Sequence, residues 1–172
     1  DRFEEYTPGL RGEPAQLIYE GEITDPDFII KFENFLDEIS KIGFVGVNED
    51  GSLNQSGTLN LSKVSKLVLN NQEVMNDIFE EYKVKITDNN NDLIPDTSNQ
   101  VKAIIKYGIK NGISLDGEYS FDPLWFQRYF WFNEELDDDY TSILMVFLSG
   151  TRTEDDVSKV RSEITELVED YN

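Results

Sequence analysis

The chain has 172 residues, a formal net charge of −20, and neither His nor Cys. It therefore has no side chain that titrates near neutrality unperturbed, no thiol nucleophile, no disulfide, and no zinc site of the thiolate or imidazole kind. Its 38% hydrophobic and 12% aromatic content is too rich for a disordered acidic tail, and a chain this long buries about 70% of its unfolded surface, enough for a core without metal or cross-link.

Acid gathers at the two ends. Residues 1–61 carry 13 acidic against 4 basic side chains and residues 134–172 carry 12 against 3, while 62–111 is neutral. Such a field disfavours direct contact with nucleic acid or anionic membrane and favours a basic protein surface or cations. No run reaches the roughly 18 apolar residues of a membrane span.

The opening stretch DRFEEYTPGLRGEP mixes charge with Pro8, Gly9, Gly12 and Pro14. It reads as a flexible tether over 1–15, followed by a single α+β domain over 16–172. The start at Asp1 and the lack of Cys point to an extracellular or cell-envelope protein whose leader or lipoprotein signal preceded Asp1, with a cytoplasmic location as the alternative. Residues 16–23 alternate as a strand. Asp25-Pro26 then caps and opens a helix whose apolar face is Phe28, Ile29, Phe32, Phe35, Leu36 and Ile39, ended by Gly43. Phe44–Val47 is a short strand, Glu49-Asp50-Gly51 a turn, and 54–60 its returning strand.

Ser62 is a candidate cap for a helix with Val64, Leu67 and Val68 inward. Asn70-Asn71 interrupts it, and a second helix carries Met75, Ile78, Phe79 and Tyr82. After a polar loop over 87–99, Thr97 or Ser98 caps a helix with Val101, Ile104 and Ile105 inward and Gly112 past its end. A short strand and an Asp116-Gly117 turn lead to the densest apolar segment. There LWFQRYFWF (124–132), the acidic turn NEELDDD and YTSILMVFLSG (140–150) predict a long antiparallel hairpin. Asp122-Pro123 offers the competing reading, a helix start. Thr153 caps the last helix, with Val157, Val160, Ile164, Leu167 and Val168 as its apolar face. The expected fold is an antiparallel-rich sheet with about four to five helices packed on it.

Three constellations are candidates for function. In a strand over 124–132, Trp125, Tyr129 and Trp131 share one face with Gln127, opposite Leu124, Phe126, Phe130, Phe132 and Arg128. Either the strand is buried on both faces, or it exposes a Trp/Tyr platform suited to sugar rings or to anchoring a protein. The second is acid. Glu134, Glu135, Asp137, Asp138 and Asp139 on the turn join Glu163, Glu166 and Asp170 on one stripe of the last helix, where Glu169 also opposes the macrodipole. Together they offer a surface for a basic partner, or simply a solvated face.

The third is the loop from Asp88 to Asp96, with Asp88, Asn90, Asp92 and Asp96 as candidate calcium ligands. Its DNNNDLIPD resembles the opening of an EF-hand-type loop or a thrombospondin type 3 calcium repeat. Leu93 stands where the turn Gly belongs, however, and Asn99 where an EF-hand closes with Glu. The alternative is a polar loop that satisfies its own backbone. No phosphate loop, nucleophile elbow or His base is present. The expected function is therefore non-catalytic: holding a protein or glycan through the aromatic hairpin and acidic surface, with no cofactor beyond calcium. The alternative is an intracellular acidic inhibitor, of immunity or anti-defence type, that mimics nucleic acid and covers a basic site on another protein.

Overall fold

The structure, a computed structural model, describes residues 14–55, 58–115, 119–133, 136–148 and 153–171. Among these are six helices and five strands in an α+β arrangement. In chain order they are β1 (Pro14–Gly21), α1 (Pro26–Ser40), α2 (Leu61–Leu69), α3 (Gln72–Tyr82), α4 (Ser98–Asn111), β2 (Ile113–Leu115), β3 (Tyr119–Phe121), α5 (Pro123–Tyr129), β4 (Phe130–Asn133), β5 (Leu136–Phe147) and α6 (Glu154–Tyr171). The main sheet has the order β1-β5-β4, and β2 pairs with β3 in a second, two-stranded sheet. No helix among the described residues is long and apolar enough to cross a membrane.

The backbone forms two compact units. One holds residues 31–57 and 145–171 with 14–17; the other holds 18–30 and 58–144. The predicted tether lies outside the described residues up to position 13, and its last two positions, 14 and 15, open β1.

In the first unit the amphipathic spacing of α1 does what the sequence implies. Phe32, Phe35, Leu36 and Ile39 are buried, and Phe35 meets Tyr171 edge-on at 5.2 Å between ring centres. Thr153 caps α6 by accepting from the Asp156 N–H, while the Asp156 carboxylate accepts from Thr153 N–H, closing a reciprocal cap. Val160 and Ile164 form the buried face of this helix.

The sequence reading needs correction between Ile42 and Asn60. Helix α1 stops at Ser40, and the residue with positive φ is Phe44, at 68°, not Gly43. The expected strands reduce to isolated bridges of Val45 with Leu148 and Val47 with Leu53, around a turn closed at Gly51. The return is confined to Leu53 and Asn54 and so reaches only the first residue of the predicted 54–60 segment, of which 56 and 57 lie outside the described residues. A short run with a tight turn can pair for one or two residues without the length a stable hairpin needs.

The second unit is built on helix caps. The cap of α2 is Asn60, whose side chain accepts from Lys63 N–H at 2.9 Å; Ser62 is the second residue of the helix and is buried. Asn70 closes α2 and Asn71 opens α3, so the Asn pair interrupts the two helices as the sequence implies. Val74 and Ile78 face inward on α3, whereas Phe79, expected inside, is exposed. Thr97 and Gln100 form a capping box at the start of α4, whose Val101, Ala103, Ile104 and Ile105 are buried. Past its end Gly112 has φ 73°, a left-handed conformation that a side chain resists, and a Cβ there would press on the Phe121 carbonyl. That tight corner sends the chain into β2. Its antiparallel pairing with β3, Ile113 opposite Phe121 and Leu115 opposite Tyr119, brackets the predicted Asp116-Gly117 turn, which lies outside the described residues.

Candidate functional site

The segment expected to be one long strand, 124–132, is half helix. Asp122 accepts from Trp125 N–H at 3.1 Å, Pro123 occupies the first turn, and α5 runs to Tyr129 before the chain extends as β4. The competing Asp122-Pro123 reading therefore holds for the first half and the hairpin for the second. Antiparallel pairing sets Phe130 opposite Ser142, Trp131 opposite Thr141 and Phe132 opposite Tyr140, with an irregularity before Asn133. The expected acidic turn is shorter than read, because β5 already begins at Leu136. Asp137, Asp138 and Asp139 are strand residues, and Glu134 and Glu135 lie outside the described residues.

A helix redistributes the side chains that a strand would have alternated. Phe126 and Tyr129 turn inward, at 0% and 4% exposure, as does Phe130 on β4. What admits Phe126 is Gly108 of α4: a Cβ at that glycine would overlap the Phe126 ring. The opposite face of α5, at spacing i, i+3, i+4, is Leu124, Gln127 and Arg128, all exposed. Leu124 is 71% exposed, and Trp131 on β4 is 43% exposed.

Trp125 and Tyr129 sit one turn apart and stack at 6.0 Å with 24° between planes, and Phe121 meets Trp125 edge-on. Cations stand at both ends of this file of rings. Lys63 Nζ lies 5.6 Å from the Phe121 ring centre, and the Arg128 guanidinium 5.8 Å from that of Tyr129. Burial lowers the Lys63 pKa below its usual value, and its ammonium also donates to the Thr58 carbonyl at 3.2 Å. Lys106 lies over Phe132 at 5.7 Å. The chain matches no family model, no curated protein and no solved structure.

The shared face predicted for Trp125, Tyr129 and Trp131 is thus not formed. Two of these rings belong to one another, with Tyr129 buried, and only Trp131 is substantially open. Leu124 was missed as an exposed side chain because strand alternation put it with the buried Phe126. Reading Asp122-Pro123 as a cap places it correctly. The two parts of the predicted acidic surface fall in different units. Glu163, Glu166 and Asp170 lie on α6, where Glu166 and Asp170 are exposed and Glu163 approaches Lys159 at 3.9 Å.

The Asp88–Asp96 loop has a different character. Asp88 accepts from the N–H groups of Asp92 and Leu93, at 3.2 and 2.9 Å. Asp92 accepts from Ile94 N–H and from the Asn90 amide. Asp96 takes the Asn89 N–H, the Asn89 amide and the Thr87 hydroxyl. The Asn89 N–H and the Thr87 hydroxyl hold its carboxyl below the usual carboxylate range. Asn91 and Leu93 have φ of 59° and 63°. Among the described residues no three His, Cys, Asp or Glu side chains are grouped so as to hold a metal ion.

Proposed function

We propose that this is a non-catalytic binding protein that holds a protein or glycan partner through the outer face of α5 and β4. One observation carries the reading: Leu124 and Trp131 are left in solvent on the elements whose neighbouring aromatics are buried. Exposed large apolar side chains set among polar neighbours are where partners anchor, and Trp is prominent among such anchors. The absence of His and Cys from the sequence supports a role other than catalysis. Together with the acidic composition, the lack of Cys also supports an exported or envelope location.

The reading is tested on arrays of immobilised glycans and envelope proteins probed with the full chain and with Trp131→Ala and Leu124→Ser variants. Ligands retained by the wild type and lost by both variants, with melting unchanged, support it. Ligands that both variants retain equally well overturn it. A second reading, an acidic inhibitor that covers a basic nucleic-acid site, draws on the C-terminal half of α6. Glu166, Glu169 and Asp170 are exposed there, with no basic residue in the last turn. It requires affinity that falls steeply with salt and ignores Trp131.

A further inference from the structure

Lys63, the third residue of α2, is half-buried in an acidic chain, yet among the described residues no ion pair joins its ammonium to Asp or Glu. The chain carries 35 Asp and Glu, and Lys41, Lys83, Lys110 and Lys159 each hold one of them at 2.6–3.9 Å. Lys63 instead donates to the Thr58 carbonyl at 3.2 Å and lies 5.6 Å from the Phe121 ring centre. That uses one of the three N–H groups an ammonium offers. Lys83 shows the completed form of such a contact: its ammonium lies over Phe79 and also holds Glu80 at 3.3 Å. A cation that gives up water without gaining an anion is costly, and burial lowers the Lys63 pKa accordingly.

We propose that Lys63, Phe121 and Trp125 form a site for an organic oxyanion, a carboxylate or phosphate carried on a flat apolar body. The ammonium takes the oxygens, and the two rings take the flat body. The three residues come from α2, β3 and α5 of one unit. Phe121 and Trp125 meet edge-to-face at 6.0 Å and 85°, and both are half-buried, so each keeps some ring surface open to water. A flat group added to such a pair gains apolar burial and an aromatic contact of the same kind. A bare inorganic ion would use the ammonium alone. The net charge of −20 does not forbid an anion here. At about 0.15 M salt, exposed charges more than about 8 Å apart are largely screened, and the stretch 62–111, which contains Lys63, carries seven acidic and seven basic residues. Leu124 and Trp131 take no part, so this site stands apart from the binding face proposed above.

The test follows the lysine ε-carbons of the full chain, grown with isotope-labelled lysine, by NMR. The chain is titrated with benzoate, with phenyl phosphate and with the neutral benzyl alcohol. The Lys63 signal is expected to shift saturably with at least one anion, while those of the exposed Lys31 and Lys85 do not. Benzyl alcohol should bind at least about tenfold more weakly, a difference that reads the charge. The relative affinities for benzoate and phenyl phosphate then say which oxyanion the site prefers. Saturating anion should also raise the Lys63 titration midpoint, because a bound anion favours the ammonium. In Trp131→Phe, where Trp125 is the remaining indole, fluorescence should respond to the same anion. Adding Lys63→Gln should abolish that response, and Lys63→Arg, which keeps the charge, should restore most of it. The inference is overturned if Lys63 shifts with neither anion, if Lys31 and Lys85 shift alongside it with equal affinity, or if benzyl alcohol binds as well as the anions. The NMR titration uses the wild-type chain, so it decides the matter even where Lys63→Gln does not fold.

Discussion

Two stretches of the second unit, the loop over 87–99 and the segment over 121–132, both read as candidate sites in sequence, and the structure treats them oppositely. In the loop the carboxylates of Asp88, Asp92 and Asp96 accept from backbone and side-chain donors within the same dozen residues. The polar chemistry that suggested a ligand serves the loop's own backbone, as Asx-rich turns do. In the aromatic segment two apolar groups, Leu124 and Trp131, remain in solvent while their neighbours pack. The loop's candidate ligands are engaged with their own segment, whereas two side chains of the aromatic segment keep much of their surface in water.

The contrast breaks most readily at Phe126. Its ring is fully buried against Gly108, so Phe126→Ala is expected to cost about 3–5 kcal/mol through lost burial and the cavity left behind. Chemical denaturation reads it as a lower midpoint at unchanged slope. A cost under about 1 kcal/mol would mean that the inner face of α5 is not core, and the outer face would lose its meaning as the exposed one. Gly108→Ala approaches the same contact from the other side. Alanine favours a helix interior over glycine by up to about 1 kcal/mol, yet here its Cβ overlaps a fully buried ring. Overpacking of that kind costs about 1–3 kcal/mol, and net destabilisation in a thermal melt is the expected result.

That glycine also marks where sequence legibility ended. Helices α1, α4 and α6 were readable because a cap signal precedes a run of helical apolar spacing: Asp25-Pro26, Thr97 or Ser98, and Thr153 with three acids behind it. The α+β class and the antiparallel pairing of β4 with β5 followed from composition and from the turn between two apolar runs. The α5 helix was misread because aromatic and β-branched content was weighed above a two-residue cap signal, and in a seven-residue element the cap decides. A notch at Gly108, eighteen positions before the ring it receives, has no local signature at all. The candidate site inherited the error: strand alternation joined Trp125, Tyr129 and Trp131, whereas helical spacing keeps Trp125 and Tyr129 together and leaves Trp131 apart on β4.

The loop is the gentler half of the comparison, and its signature is pH. The Asn89 N–H and Thr87 hydroxyl depress the Asp96 pKa in the folded state. Its stabilising contribution is therefore present above the unfolded carboxylate value of about 3.9 and is lost as pH falls through the lower, folded value. Asp96→Ala should melt earlier than wild type at neutral pH, and the gap should close in strong acid. A gap that is constant across that range would show that the ionised carboxylate is not what orders the loop.

The smallest stability effect belongs to the groups proposed to matter most for binding. Leu124 keeps most of its surface in water already, so replacing it with Ser forfeits little burial, and substitutions at such positions stay within about 0.5 kcal/mol. Trp131 has more to lose, because it is 43% exposed against 71% for Leu124, but its effect should still fall well short of that at Phe126. The ordering Phe126, then Trp131, then Leu124 in lost melting temperature, with loss of partner affinity at Trp131 and Leu124, is what a binding face beside a core must produce. If Trp131→Ala instead destabilises as much as Phe126→Ala, the indole is holding the hairpin together. Its exposed edge would then be the incomplete cover of a core side chain, and only Leu124 would remain as an anchor without a structural duty.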